Sequence, residues 1–227
     1  MGTAMVVRAL LGWLISMTIL VAMVLAGLIV LWRYTPPVST LMLARYATLR
    51  PVVREWRPLE KISPHLVAAV ITAEDARFCR HNGIDWDALD DQLNSEGGPS
   101  RGASTIAMQT AKNLFLWPQR SFIRKGLEIP IALAIDFVWP KRRIIEVYLN
   151  IAEWGEGGLF GAHAAAKRYF RREASALTSG QAAIMATALP NPVLRRVDRP
   201  SRYHRRLARI IQRRARTAGP WLNCLRR

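Results

Sequence analysis

The sequence predicts an all-α protein with a single membrane-spanning helix at its N-terminus. Residues 9–32 form a run of 24 positions without a charged side chain. Beyond this run, apolar residues recur at helical spacing, and helix-capping residues precede several of the apolar segments. No stretch alternates polar and apolar residues as a half-buried strand does. These three observations together favour a helical domain behind a membrane anchor.

The apolar N-terminal run is long enough to cross a bilayer. At about 1.5 Å per residue, a helix of this length exceeds a hydrocarbon core of about 30 Å. A secretory signal peptide is the alternative, but its apolar core is shorter, and no convincing Ala-x-Ala cleavage site precedes Trp32. We therefore expect a retained anchor. Arginines flank the run on both sides, at Arg8 and Arg33, so charge does not determine its orientation.

Caps and helix breakers predict the helices that follow. Ser63 and Pro64 suit the cap and the first position of a helix that carries the apolar run 66–73. Ser104 or Thr105 opens a second helix, which ends near Leu116 before a proline. Further helices are predicted over 129–139, as a core helix or a membrane-grazing face, over 141–150, over an alanine-rich segment ending at Phe170 after a glycine-rich break, and over 178–189.

A carboxylate pair, Glu74 and Asp75, follows the apolar run of the first of these helices. If that helix continues, Glu74, Phe78 and His81 share one face, which would place an acid beside an aromatic ring and an imidazole. Such surroundings can raise the pKa of a carboxyl group toward neutrality. We expect Asp75 to accept structural hydrogen bonds, from backbone or an arginine, and we leave His81 outside the catalytic set, because a lone histidine is more often structural.

Four polar motifs occur in order along the chain, and together they resemble those of a known family. They read Glu-Asp-x-x-Phe-x-x-His-x-Gly from Glu74, Gly-Ala-Ser-Thr-Ile-Ala-Met-Gln from Gly102, Arg-Lys-x-x-Glu from Arg124, and Lys-x-x-Ile-Ile-Glu-x-Tyr-Leu-Asn from Lys141. This set is similar to the peptidoglycan glycosyltransferases, or transglycosylases, over residues 60–192. The chain departs from the family pattern at Met108, which stands where the first of two glutamines is usual.

The resemblance implies a lysozyme-like glycosyltransferase domain with a small membrane-associated jaw. It implies that the enzyme polymerises lipid II into β-1,4-linked glycan strands and releases undecaprenyl diphosphate. In this reading Glu74 is the general base and Glu128 is a second catalytic acid. The residues that would bind the substrate are Ser104, Gln109, Lys112, Arg120, Arg124 and Lys125.

The resemblance also implies a layout and a location for the chain. We expect the protein to be a single-pass protein of the inner membrane, with its catalytic domain on the periplasmic side. Its partners would be lipid II, the lipid-linked glycan strand, the membrane, and proteins of cell-wall assembly or division. The expected segments are a short cytoplasmic tail over 1–8, the anchor over 9–32, a stalk over 33–59, the glycosyltransferase domain over 60–195, and a basic helical segment over 196–227.

The basic C-terminal segment dominates the charge of the chain. The net charge is +17, and the segment from Arg195 to Arg227 holds twelve arginines and one acid, Asp198. A solvated helix face is the simplest interpretation, and attraction to anionic lipid head groups or to nucleic acid are the alternatives. The anchor favours lipid, and because no aromatic RNA-binding signature or zinc-finger spacing is present, we expect no nucleic-acid partner.

The cysteines and the motifs that are missing limit which metal sites and which enzyme activities the sequence supports. Cys79 and Cys224 are too few for a disulfide framework and lie in no ligand cluster, so we expect Cys79 to pack within its motif and no metal site to form. The resemblance implies a reaction that requires no cofactor and in which a divalent cation could assist the departing diphosphate. Neither Ser-x-x-Lys nor Lys-Thr-Gly occurs, which excludes a penicillin-binding transpeptidase and predicts a monofunctional enzyme.

Two other functions compete with glycan polymerisation. A lytic glycan-cleaving enzyme on a lysozyme-like fold also uses a glutamate in a cleft, but it has no diphosphate to bind and no need for a set of cations there. A non-catalytic basic scaffold in cell-wall assembly is the second alternative, and the intact pair of Glu74 and Glu128 argues against it.

Overall fold

The computed structural model describes residues 2–94, 104–119 and 121–225. It separates into two units, Met1–Thr35 and Pro36–Arg227. The first unit holds helix α1, Gly2–Trp32, whose span Val6–Trp32 is long and apolar enough to cross a membrane. A single-pass anchor fits this helix.

The second unit contains nine α-helices and a small hairpin within the described residues. Three 3₁₀ segments complete it, Leu59–Lys61, Ala174–Ala176 and Gly219–Leu225. In chain order the elements are α2 Thr40–Ala47, α3 Pro64–Glu74, α4 Trp86–Leu93, α5 Ile106–Phe115, α6 Phe122–Val138, α7 Lys141–Ile151, β1 Glu153–Gly155, β2 Leu159–Phe160, α8 Ala162–Phe170, α9 Ser179–Ala188 and α10 Arg202–Arg216.

The helices pack in two groups around one core. Helix α3 packs against α9 and α10, and α5 packs against α6 and α7. The largest fully buried side chains include Trp139, Trp154 and Tyr148, which lie at or near the ends of α6 and α7. The predicted all-α class is confirmed, because helices make up most of the chain.

Local capping bonds explain where three of the predicted helices begin. The Ser63 hydroxyl accepts a hydrogen bond from the His65 N–H at the start of α3, and Thr105 accepts one from the Met108 N–H at 3.1 Å. Thr178 and Gln181 form a reciprocal capping box at the start of α9. Each bond satisfies a backbone donor that the first helical turn leaves free.

A hairpin occupies the glycine-rich break before α8, where the sequence pattern gave no strand. Strands β1 and β2 are antiparallel, with Glu153 opposite Phe160 and Gly155 opposite Leu159. Gly157 and Gly158 both take positive φ angles, which side chains other than glycine rarely adopt, and this allows the chain to reverse. The strands are too short to show an alternating pattern.

Residues 36–59 differ from the predicted stalk, because they belong to the folded unit. Met42 of α2 is fully buried, and the Thr40 hydroxyl donates to the carbonyls of Asn113 and Leu116 at 3.1 and 2.7 Å. Asn150 accepts from the Arg57 N–H at 2.9 Å and donates to the Arg57 carbonyl at 2.8 Å. These bonds attach the segment to α5 and α7.

Helix α3 ends at Glu74, so the predicted shared face of Glu74, Phe78 and His81 is wrong. Asp75 caps the helix in a non-helical conformation, and the chain turns so that the Phe78 N–H donates to the Asp75 carbonyl at 3.0 Å. The Asp75 carboxylate accepts from the Ile106 N–H at 2.9 Å and lies 2.9 Å from His81 Nε2. Asp75 therefore has the structural acceptor role that was expected, with backbone and histidine as partners.

The two cysteines form a disulfide, which corrects the expectation that Cys79 only packs within its motif. Cys79 and Cys224 are 145 positions apart and are bonded to each other. The bond joins the turn after Glu74 to the final 3₁₀ segment, Gly219–Leu225. Helix α10 also packs on α3 and α9 through the buried His204 and Ala208, so the basic C-terminal segment is part of the domain.

Helix α6 buries two charged residues and exposes several large apolar ones. Arg124 and Glu128 are buried on its inner side together with Ala132 and Ile135, whereas Phe122, Ile123 and Phe137 are 94%, 73% and 92% exposed. Over 129–139 the helix therefore contributes to the core through its inner apolar residues, and its exposed apolar residues suit a membrane-grazing face.

Candidate active site

Glu74 lies at the C-terminal end of α3 and faces α5. Its Oε2 atom accepts a hydrogen bond from Gln109 Nε2 at 3.0 Å, and Gln109 Oε1 in turn accepts one from the Tyr148 hydroxyl at 2.9 Å. Helices α3, α5 and α7 each contribute one member of this chain. The carboxyl group of Glu74 is therefore held in one orientation, and the residue as a whole is half-buried.

The surroundings of Glu74 raise its pKa. Burial is the largest cause, because it disfavours the charged carboxylate. The hydrogen bond from Gln109 and the positive charges of Arg195 and Lys112 oppose this rise. A partly desolvated carboxyl group that retains hydrogen-bond donors has the properties of a general base near neutral pH.

Glu128 is buried in a second cluster, built mainly on α6. Its carboxylate forms ion pairs with Arg124, one helical turn earlier, and with Lys125 Nζ at 3.0 Å. Lys125 also donates to the Ser104 hydroxyl at 2.6 Å, and Arg124 Nε donates to the Gln119 carbonyl at 2.8 Å. Four predicted site residues, Ser104, Arg124, Lys125 and Glu128, are thus brought together. Arg124 is buried and bonded to both Glu128 and Gln119, so within this cluster Lys125 is the more accessible cation.

Lys112 of α5 connects the two carboxylate clusters electrostatically. Burial lowers its pKa, and this is the largest effect. The negative charges of Glu128 and Glu74 raise the pKa, and the positive charges of Arg124 and Lys125 lower it further. In the described part of the chain the Lys112 ammonium group has no hydrogen bond or ion pair, so it is free to meet a ligand.

Arg120 lies outside the described residues. The structure therefore places five of the six predicted substrate-binding residues and both predicted catalytic acids, in two groups with Lys112 near each. Within the described ranges, no three His, Cys, Asp or Glu side chains group as metal ligands.

A cavity of about 230 Å³ opens beside Gln109 and Lys112. Sequence reasoning missed several residues of this region. Tyr148 was not among the predicted site residues, yet its hydroxyl group reaches Gln109. Glu153 of β1 lines the cavity, and burial raises its pKa against an opposing effect of Arg45. Segment 39–41 lines it too, although it was predicted as stalk.

Arg195 is another residue near Glu74 that the sequence did not indicate as part of the site. Its positive charge acts on Glu74, and its Nη1 atom donates to the Thr187 carbonyl at 2.9 Å at the end of α9. In the sequence Arg195 is one of twelve arginines in a basic segment, so no local signal distinguished it.

Comparison with known proteins identifies the family. A family model described as Transglycosylase matches residues 42–215. Proteins named biosynthetic peptidoglycan transglycosylase from Agrobacterium fabrum (strain C58) and Brucella suis biovar 1 are each 50% identical to this chain, over 93% of it and 95% or 97% of their own length. Another of that name, from Rhodospirillum centenum (strain SW), is 53% identical over 85% of both chains.

The chain therefore belongs to the transglycosylase family. Its fold is lysozyme-like, and its activity is that of a peptidoglycan glycosyltransferase. The lytic and scaffold alternatives are not favoured.

Proposed function

We propose that this enzyme polymerises lipid II by transferring a lipid-linked glycan strand from its diphosphate to the 4-hydroxyl group of an incoming lipid II. The observation that carries the proposal is the pairing of an oriented, partly desolvated carboxylate, Glu74, with the free ammonium group of Lys112. Proton acceptance and diphosphate stabilisation are the two tasks that this reaction requires.

In the proposed step Glu74 accepts the proton of the acceptor hydroxyl group as the oxygen attacks the anomeric carbon of the donor. The bond between that carbon and the diphosphate oxygen breaks, so the configuration inverts to a β-1,4 link. Undecaprenyl diphosphate leaves with the electron pair of the broken bond. Gln109 keeps the Glu74 carboxylate aimed at the hydroxyl group and favours its ionised form.

The cations act on the leaving group. Lys112 and Lys125 would contact the diphosphate oxygens, where charge develops as the bond breaks. Arg124 would act indirectly, because its contacts with Glu128 and Gln119 fix the position of that carboxylate. Glu128 in turn orients Lys125, and Ser104 holds the same ammonium group from the other side.

We also propose that the enzyme is monofunctional and works at the periplasmic surface of the inner membrane. The long apolar helix α1 and the outward apolar residues of α6 suit a substrate confined to a bilayer. The disulfide between Cys79 and Cys224 supports an oxidising compartment such as the periplasm. Other cell-wall proteins remain proposed partners on the same surface.

Incubation of the purified protein with labelled lipid II, followed by separation of polymer from substrate on a gel, tests the proposed reaction. Glu74→Gln keeps the shape of the side chain but cannot accept a proton at neutral pH. We expect its polymerisation rate to fall about a hundredfold or more. An unchanged thermal midpoint would show that the fold is intact, and near-wild-type turnover would remove Glu74 from its role.

A further inference from the structure

The cavity beside Gln109 and Lys112 has walls from five parts of the chain. Its volume of about 230 Å³ is enclosed by segment 39–41, helix α5, helix α7, the hairpin of β1 and β2, and segment 189–192. Leu41, Leu116 and Phe160 supply apolar wall, which limits the water that can reach the polar side chains. A substrate that occupies this space must therefore meet the hydrogen-bonding needs of whatever polar groups face it.

Most polar side chains of the cavity already have partners within the protein. Gln109 bonds with Glu74 and Tyr148, and Thr40 donates to two backbone carbonyls. Within the described ranges, Lys112 and Glu153 are charged side chains of this cavity that form no hydrogen bond or ion pair, either with other residues or with each other. Opposite charges therefore share one cavity without pairing.

An unpaired, partly desolvated charge costs free energy unless a ligand supplies its partner. The ammonium group of Lys112 suits the diphosphate of a lipid-linked sugar. The carboxylate of Glu153 would repel a diphosphate, so it marks a part of the cleft that takes hydrogen-bond donors. Hydroxyl and acetamido N–H groups of a sugar are donors of this kind.

Glu153 is well fixed for such a contact. It pairs with Phe160 across the hairpin, and the turn of the hairpin lies against segment 45–53. At Gly158, with φ of +78°, an added Cβ atom would come within 2.2 Å of the Pro51 carbonyl oxygen. The close approach that only glycine permits thus holds the strand carrying Glu153 in place.

We propose that Glu153 is a substrate-binding residue that accepts hydrogen bonds from the sugar of the lipid-linked substrate. With Lys112 at the diphosphate and Glu153 at the sugar, the cavity fixes the direction in which the substrate lies relative to Glu74. This inference rests on the proposed function, since it concerns the same substrate in a cavity whose Gln109 side chain bonds to Glu74.

The test uses the full-length protein in detergent and measures two quantities for each variant. One is the apparent KM for lipid II, and the other is the inhibition constant of undecaprenyl diphosphate, which carries the diphosphate but no sugar. For Glu153→Ala we expect the KM to rise about tenfold, from loss of a charge-assisted hydrogen bond, with little change in kcat or in the inhibition constant. Lys112→Met should weaken the binding of both lipid II and undecaprenyl diphosphate.

If Glu153→Ala lowers the melting temperature, Glu153→Gln takes its place, because it keeps the side-chain volume. We expect Glu153→Gln to raise the KM for lipid II about threefold or more. Glu156→Ala is the matched control, because Glu156 is an exposed carboxylate of the same hairpin that does not line this cavity. Two results would overturn this inference and leave the proposed function standing. One is that the Glu153 variants weaken the binding of lipid II and of undecaprenyl diphosphate equally, and the other is an unchanged KM for lipid II in active enzyme. A wild-type protein that forms no polymer would overturn the proposed function as well.

Discussion

Gln109 is the residue through which the protein controls its candidate base. Its amide donates to Glu74 and accepts from Tyr148, so one side chain both orients the carboxylate and favours its ionised form. Burial pushes the pKa of Glu74 in the opposite direction, and the net result is a rise. A base with a raised pKa loses its proton-accepting form as pH falls through that pKa. The acidic limb of the activity profile should therefore lie above the ordinary glutamate range near 4.3.

Gln109→Ala should move this limb further upward. Removal of the donor raises the pKa of Glu74, so kcat/KM should begin to decline at a higher pH than in the wild type. The measurement is the pH dependence of kcat/KM for lipid II. Gln212→Ala is the control, since the Gln212 side chain bonds to Ser179 between α10 and α9, and its profile should match the wild type. An acidic limb that stays in place would contradict the role given to Gln109.

Glu128 differs from Glu74 because its carboxylate is buried against two cations. Glu128→Gln leaves Arg124 buried without its charge partner, so we expect a loss of about 3 kcal/mol of stability along with the loss of activity. The double variant Arg124→Met with Glu128→Met removes both charges and should recover most of that stability without restoring activity. Urea unfolding and the gel assay measure the two effects. If Glu128→Gln were as stable as wild type, the ion pair would have little structural weight.

At the scale of elements, sequence predicted helix starts well and long-range attachments poorly. The bonds of Ser63, Thr105 and Thr178 close within three residues, so a local pattern contains all the information that they require. The segment predicted as a stalk is attached by bonds such as that between Arg57 and Asn150, 93 positions apart. The disulfide spans 145 positions. No local pattern encodes contacts at such separations.

In the candidate site too, residues in local motifs were predicted and residues brought in by long-range contacts were missed. Its acids and cations were predicted because they stand in ordered motifs, whereas Glu153 and Arg195 were missed because their neighbours in sequence give no sign of the cleft. The end of α3 at Glu74 was also missed. The apolar pattern of the helix suggested continuation, and the tertiary bond from the Ile106 N–H to Asp75 favours the turn instead.

Met108 shows how burial changes the interpretation of a motif. It occupies the position in α5 where a glutamine would complete a capping box with Thr105. In the structure Thr105 already accepts from the Met108 N–H and donates to the Gly83 carbonyl at 2.6 Å, and the Met108 side chain is fully buried. A glutamine here would place an amide group in an apolar environment.

Met108→Gln should therefore lower stability, by about 1 to 3 kcal/mol, with turnover of the folded enzyme unchanged. Thermal melts and steady-state kinetics on the same variant check both parts. Met108→Leu, which conserves volume and polarity, is the control and should melt within a few degrees of wild type. A raised melting temperature for the glutamine variant would show that the capping bond outweighs the burial of the amide.

At the scale of the whole molecule, the outward apolar residues of α6 and the basic face of α10 belong to different helix groups of the domain. Helix α6 packs on α5 and α7, whereas α10 packs on α9 and α3. Five arginines of α10 recur at helical spacing on its exposed face, at Arg202, Arg206, Arg209, Arg213 and Arg216. An apolar contact with the bilayer would thus be made by α6, and the attraction of α10 to anionic lipid remains a separate, salt-dependent prediction.

Removal of residues 1–35 separates anchoring from catalysis. The remaining unit, Pro36–Arg227, keeps α2 and its bonds to α5, so it should fold and should polymerise lipid II in detergent at the wild-type rate. On lipid vesicles its rate should fall about tenfold or more, because enzyme and substrate no longer share one surface at a high effective concentration. Vesicle and detergent assays on the same preparations give the ratio.

The residual vesicle activity of the truncated enzyme should depend on α6. Phe122→Ser with Phe137→Ser removes two large apolar side chains that are more than nine-tenths exposed, so it should lower vesicle binding without lowering the melting temperature. Tyr203→Ser, which removes an exposed aromatic ring from α10, is the matched control and should bind as the truncated parent does. Binding that survives loss of both phenylalanines but disappears at high salt would assign the contact to the arginine face instead. Equal rates of the full-length and truncated enzymes on vesicles would show that the domain surface suffices without the anchor.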